Sequence, residues 1–260
     1  MTEKEKIFDL EQGNCLELMD EMIASGTKSF DLIFADPPYF LSNGGVTCKN
    51  GKMVTVNKGD WDKSQGPELN HEFNLEWLER CQKLLSANGT IVVSGTHHVI
   101  FSVGYAMQQL GMKILNQITW EKPNPPPNLA CRYFTHSTET LIWAAKNEKS
   151  KHHFNYDLMR QINGGKQMKD VWRFTAPGKT EKTFGKHPTQ KPVSLLERVI
   201  LSSTQEGDSI LDPFNGSGTT GVAAIKHGRK YFGLEMDSEY IELSEKRLNE
   251  AIEEVSNKLF

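Results

Sequence analysis

Short apolar runs alternate along the chain with longer stretches in which apolar residues recur at the helical period. Ile7-Phe8-Asp9-Leu10 predicts a strand, and Cys15-Leu16-Glu17-Leu18-Met19 a helix with Asn14 as its N-cap. Phe30 to Ala35 predicts a buried strand, Asn74 to Leu85 a helix, Thr90 to Val93 a β-branched strand closed by Ser94-Gly95, and Val99 to Leu110 a further helix. Lys113 to Trp120 and Thr138 to Ala144 predict strands with no room for a crossover helix between them, so they pair as an antiparallel hairpin at one end of the sheet. Further on, a helix from Ser194 to Ser203, a strand Ser209-Ile210-Leu211, a helix to Gly228, a strand from Tyr231 to Leu234 and a last helix from about Ser238 to Ser256 complete the pattern. Strand alternating with helix predicts an α/β fold on a mainly parallel sheet.

Three stretches break this rhythm. After Tyr39 the chain becomes polar and glycine-rich through Ser42-Asn43-Gly44-Gly45 to Gly59-Asp60-Trp61-Asp62, too long for a tight turn and in the manner of a lid or a disordered loop. Pro123-Asn124-Pro125-Pro126-Pro127 is either a stiff spacer or a wall of a pocket. From Lys146 to Lys186 periodicity is poor, and Trp172 and Phe174 flank Arg173, so this stretch reads as an insertion rather than a sheet element. Its basic and aromatic residues suit phosphate contacts and base stacking; a surface excursion with a small apolar anchor fits equally well.

Composition narrows the class. The 260 residues can bury one large domain, and the apolar and charged fractions are those of an ordinary globular protein. No run reaches membrane-spanning length and the start Met1-Thr2-Glu3-Lys4-Glu5-Lys6 is charged, which reads as cytoplasmic. Cys15, Cys48, Cys81 and Cys131 are scattered, which argues against zinc and against a disulfide framework. The net charge of -3 argues against coating of nucleic acid by overall basicity. It hides a local excess, because Lys149, Lys151, Arg160, Lys166, Lys169, Arg173, Lys179, Lys182 and Lys186 outnumber the acids around them, whereas the last helix is acidic.

Two stretches carry candidate chemistry. Asp36-Pro37-Pro38-Tyr39 follows the run Ile33-Phe34-Ala35 and falls at the carboxyl end of a strand, the edge where open α/β sheets hold ligands. An amine on an aromatic ring is a poor nucleophile because its lone pair is delocalised. Acceptors on Asp36 and on the Pro37 carbonyl favour the pyramidal nitrogen that develops during attack, and the prolines stiffen the backbone that aims them. Tyr39 offers a face for a base, or else it packs in the core while Pro-Pro merely ends the strand. The second stretch is Asp212-Pro213-Phe214-Asn215-Gly216-Ser217-Gly218-Thr219-Thr220 between a strand and a helix, a unit that holds nucleotide-like cofactors. It lacks the lysine of a phosphate-binding loop, which disfavours ATP. Gly216, Gly218 and Gly221 match a dinucleotide spacing, but Asp212 at the strand end repels a pyrophosphate and suits the cationic methionine moiety of S-adenosylmethionine. Glu235, about twenty residues beyond the loop, stands where such sites bond a ribose diol.

These two motifs in this order, with His187-Pro188-Thr189-Gln190-Lys191-Pro192 between them, resemble the β-class amino-methyltransferases of DNA over nearly the whole chain. The resemblance implies a circularly permuted, seven-stranded Rossmann-like sheet, mainly parallel with one antiparallel strand and with helices on both faces. It divides the chain into a catalytic half (1–145), a target-recognition insertion (146–186) and a cofactor-binding half (187–260) of the same domain. It implies catalytic roles for Asp36, Pro37, Pro38 and Tyr39, with S-adenosylmethionine held by Thr189, Lys191, Asp212, Phe214, Gly216, Ser217, Gly218, Thr219 and Glu235. It implies DNA contacts at Lys166, Lys169 and Arg173, and no metal. Aspartate leading the tetrapeptide is similar to adenine-N6 enzymes more than to cytosine-N4 enzymes, which remain the alternative, as does an idle cofactor-binding subunit of a nucleic-acid complex. Phe40-Leu41-Ser42-Asn43-Gly44-Gly45 with Lys58-Gly59-Asp60-Trp61-Asp62 further resembles the DpnA-type second methyltransferase of GATC restriction-modification systems. That implies duplex and also single-stranded DNA as partner and allows a homodimer. The long carboxyl-terminal extension of cell-cycle GANTC enzymes is lacking.

Overall fold

The computed structural model describes residues 6–41, 46–49, 52–55 and 62–258. Its centre is an eight-stranded sheet in the order β1-β10-β9-β2-β5-β7-β6-β8. The strands are β1 (Phe8–Gln12), β2 (Phe30–Ala35), β5 (Leu85–Gly95), β6 (Lys113–Glu121), β7 (Thr138–Ala145), β8 (Val171–Arg173), β9 (Ser209–Asp212) and β10 (Lys230–Glu235). Strand β7 runs antiparallel to both β5 and β6, and every other pairing is parallel. The expected single antiparallel strand is therefore present.

Alternation along β2 shows why the sheet is covered on both sides. Ile33 and Ala35 face a core shared with α1 (Cys15–Ser25), α2 (Pro67–Leu84) and α3 (Ile100–Gln109), while Leu32 and Phe34 face α5 (Val193–Ser203), α6 (Thr219–Lys226) and α7 (Ser238–Lys258). Asn14 caps α1 as expected, its side chain accepting the Leu16 N–H at 2.9 Å. Helix α2 begins earlier than periodicity predicts, because Pro67 supplies a preorganised first turn after Gly66.

Three expectations are corrected. The sheet has eight strands rather than seven, because Val171–Arg173, inside the stretch read as an insertion without sheet elements, pairs with the end of β6 through Thr119↔Val171 and Glu121↔Arg173. Three residues are too short to show a period, so β8 left no pattern to read. The same stretch also holds a short helix, α4 (Tyr156–Ile162). Within the polar excursion, β3 (Val46–Lys49) and β4 (Lys52–Thr55) form an antiparallel hairpin where structureless chain was expected. The tracts Ser42 to Gly45 and Lys58 to Trp61, which carry part of the DpnA-type resemblance, lie outside the described residues.

No helix among the described residues is long and apolar enough to cross a membrane. Cys15, Cys81 and Cys131 carry free thiols.

Helix α6 lies close to its neighbours because Gly221 has no side chain. A Cβ there would stand 2.5 Å from the Tyr231 ring and 2.6 Å from Leu248. Gly221→Ala should therefore overpack this core and cost about 1–3 kcal/mol. Urea unfolding would show this as a lowered midpoint with an unchanged slope.

Candidate active site and cofactor cleft

Strands β9 and β2, from opposite ends of the chain, are neighbours in the sheet with Ile33↔Leu211 in register. Their connections leave in opposite directions, β9 towards β10 and β2 towards β5, which makes this the switch point where doubly wound sheets open a crevice. The register brings the tetrapeptide after Ala35 beside the glycine loop after Asp212. A cavity of about 500 Å³ opens here, and its wall includes Asp36, Pro38, Thr189, Phe214, Gly216 and Glu235.

Asp36 is held from three sides. Its Oδ1 accepts hydroxyl hydrogen bonds from Tyr39 at 2.7 Å and Ser94 at 2.5 Å, and its Oδ2 accepts one from Lys191 Nζ at 2.5 Å. The Lys191 side chain is 6% exposed and also lies 3.7 Å from Glu139, which in turn pairs with Lys122. Burial works against the Lys191 ammonium, but the charges of Asp36 and Glu139 outweigh it and its pKa is raised. Burial, and then the charges of Asp36 and Glu139, push the Tyr39 phenol well above its usual range. At neutral pH both groups therefore keep their protons and act as donors, and Asp36 is the common acceptor. Tyr39 is buried, with its ring in the core.

Lys191 has partners that no local spacing announces. The resemblance assigns it to the cofactor, whereas its ammonium reaches two carboxylates at the ends of β2 and β7, which attract it more strongly than the apolar cavity wall. Other cofactor candidates also have partners within the protein. Asp212, 3% exposed, accepts from Thr220 Oγ1 at 2.6 Å and from the Phe214 N–H at 3.0 Å, so its carboxylate braces its own loop. Its burial raises its pKa to about 7. The hydroxyls of Ser217 and Thr219 each receive a hydrogen bond of 3.0 Å from the buried guanidinium of Arg247 on α7. Gly218 packs against Ser244 of the same helix.

Thr189, Phe214, Gly216 and Glu235 do line the cavity. Gly216 adopts φ 52° beneath the His187 ring, where an added Cβ would lie 3.2 Å from the imidazole. Glu235 Oε2 accepts the Gly216 N–H at 2.7 Å and Oε1 the Asp237 N–H at 3.0 Å. A carboxylate has about four lone-pair sites, so acceptor capacity for a diol remains. Burial raises the pKa of Glu235. Ser94, Glu139, Lys122 and Arg247 were not singled out from the sequence, because each acts across the fold and no local spacing marks it.

Among the DNA candidates, Lys166, Lys169 and Arg173 are all exposed. Arg173 lies 3.7 Å from Glu121. The aromatics beside it are anchors instead of stacking faces. Trp172 is buried and donates to the Lys169 carbonyl at 2.9 Å, and Arg198 lies over both Trp172 and Phe174.

A doubly wound sheet with one antiparallel strand, a glycine loop followed by a carboxylate on the next strand, and an acidic tetrapeptide across the cleft define an S-adenosylmethionine-dependent methyltransferase. The chain belongs to the DNA methylase family of the N6/N4 amino-methyltransferases, whose model matches residues 30–246. It is 54% identical over 98% of its length to the type II methyltransferase M2.MboI of Moraxella bovis, covering 92% of that protein. It is 59% identical over 85% of its length to M2.DpnII of Streptococcus pneumoniae, covering 83% of that protein. Among solved structures, M1.HpyAVI in complex with S-adenosylmethionine aligns with a TM-score of 0.71 at 28% identity, covering 93% of this chain and 99% of that one. The PvuII cytosine-N4-specific DNA methyltransferase shares the fold at a TM-score of 0.71 and 21% identity, covering 97% of this chain and 92% of that one. The protein is thus a DNA methyltransferase that uses S-adenosylmethionine.

Glu235→Ala should weaken S-adenosylmethionine binding by roughly 1.5–3 kcal/mol through lost charge-assisted hydrogen bonds. Calorimetry reads the loss directly, and an unaltered affinity would remove Glu235 from the cofactor site.

Proposed function

We propose that this enzyme methylates the N6 amine of adenine in DNA, within a restriction-modification system, on a base flipped out of the helix. The observation that carries this reading is that Asp36 belongs at once to a buried donor cluster and to the wall of the cofactor cavity. Both hydroxyls reach Oδ1, with that of Tyr39 also 3.5 Å from Glu139, and only Lys191 reaches Oδ2 among the contacts described. One acceptor position on Oδ2 therefore suits a target amine. The amine cannot reach that edge from inside a base stack, which calls for flipping.

Bound S-adenosylmethionine supplies the electrophilic methyl group. The chain's residues do the rest. Asp36 and the Pro37 carbonyl accept the two N–H bonds and favour the pyramidal nitrogen, while Pro38 keeps the backbone stiff. Glu235, Phe214, Gly216 and Thr189 form the cofactor wall. Asp212, Ser217, Gly218 and Thr219 hold the loop from behind, and Lys191 holds Asp36. In the domain division implied by the family, residues 146–186 read the target, with Lys166, Lys169 and Arg173 on phosphates. The DpnA-type likeness extends the proposal to GATC sites, to single-stranded as well as duplex DNA, and to a homodimer. The reading places the enzyme in the cytoplasm with its substrate.

Asp36→Ala should abolish methyl transfer while retaining the fold and much of the cofactor affinity. Mass spectrometry of DNA digested after reaction with the wild type should show N6-methyladenine. N4-methylcytosine in its place would establish the cytosine alternative, and near wild-type rates in Asp36→Ala would remove the catalytic assignment.

Replacing Lys166, Lys169 and Arg173 together should weaken DNA binding and reduce its salt dependence, because each phosphate contact releases a condensed counterion. Cofactor affinity should survive. An unchanged salt slope would return these residues to an ordinary solvated face.

A further inference from the structure

Immediately beyond the tetrapeptide the backbone turns through a conformation that the sequence does not favour. Phe40 has φ 57°, in the left-handed region that costs a bulky side chain free energy. Asp62, fully buried, holds that turn. Its Oδ1 accepts the Tyr39 N–H at 2.9 Å and its Oδ2 the Leu41 N–H at 3.1 Å. A left-handed residue between two amides can aim both N–H groups to one side, a concavity that suits an anion. The carboxylate of Asp62 fills it.

We propose that Asp62 is a positioning residue for methyl transfer, fixing the exit of the catalytic tetrapeptide through the amides of Tyr39 and Leu41. The inference rests on the reading of Asp36 as the acceptor for the target amine. The bonded amide of Tyr39 belongs to the residue whose hydroxyl donates to Asp36. Turning that backbone therefore moves a donor of the acceptor cluster. The strained residue also touches the cofactor wall, since the Phe40 ring packs edge-on against Phe73 at 6.2 Å and Phe73 packs against Phe214 at 6.4 Å. Without the carboxylate, one buried and one part-buried N–H group lose this acceptor and the left-handed turn loses its compensation.

The test compares Asp62→Ala, Asp62→Asn and Asp36→Ala, with steady-state kinetics on DNA, calorimetric S-adenosylmethionine affinity and thermal unfolding for each. Asp62→Ala should lower kcat roughly 10²-fold, as misplacement near the chemistry does, with KM for DNA and cofactor affinity retained. Asp62→Asn keeps one carbonyl acceptor and should fall between Asp62→Ala and the wild type. It carries the comparison by itself if Asp62→Ala does not fold. An unchanged kcat in the folded Asp62 variants would overturn the proposal, as would a loss of cofactor affinity in proportion to kcat, which would mean general loosening. Activity in Asp36→Ala would instead overturn the reading of the tetrapeptide, so the two failures are distinguishable.

Discussion

Placing Lys191 beside Asp36 takes two charges out of water, and such a pair repays its desolvation only when further hydrogen bonds satisfy both partners. Here they do. Asp36 has two hydroxyl donors besides the ammonium, and Lys191 also reaches the Tyr39 hydroxyl at 3.2 Å and the Thr189 carbonyl at 3.4 Å. The pair crosses the switch point of the sheet. It ties the chain returning through His187 to Pro192 onto the end of β2, and so holds Thr189 at the cavity wall. Breaking a comparable buried pair from one side costs about 3–5 kcal/mol, because the remaining charge is stranded. The placement of Asp36 and of the cavity wall beside it therefore depends on one ion pair.

The same pair shows where a sequence can be read and where it cannot. Asp36 to Tyr39 and the glycine loop were legible because each follows a strand whose apolar run announces it. Glu235 was legible through its distance from the loop. The strands from Phe30 to Ala35 and from Lys113 to Glu121 followed their periods closely. Side-chain destinations were not legible. Lys191 stands in a motif associated with the cofactor and also bonds Asp36, and Ser217 and Thr219 bond Arg247, partners across the fold that no local spacing marks. Strand β8 escaped for a different reason. Its three residues pair with β6 through backbone hydrogen bonds, which carry no sequence period.

Asp36, Asp212 and Glu235 end three adjacent strands, so the carboxyl edge of the sheet concentrates negative charge beside the cavity. Only Asp36 has a buried cation against it among the bonds described for the three. Desolvation raises Asp212 to about 7 and Glu235 above its usual range, with the neighbouring carboxylates adding to the shift of Asp212. Both shifts arise first from desolvation, which a cation held in the cavity would oppose by favouring the ionised forms. S-adenosylmethionine carries such a charge on sulfur, and the neutral thioether left after methyl transfer does not. A cationic ligand is therefore suited to this edge, whereas Lys166, Lys169 and Arg173 are exposed on a separate stretch of the chain. Under the proposed function, charges of opposite sign at the sheet edge and on residues 146–186 would suit a cationic cofactor and a polyanionic substrate on one fold.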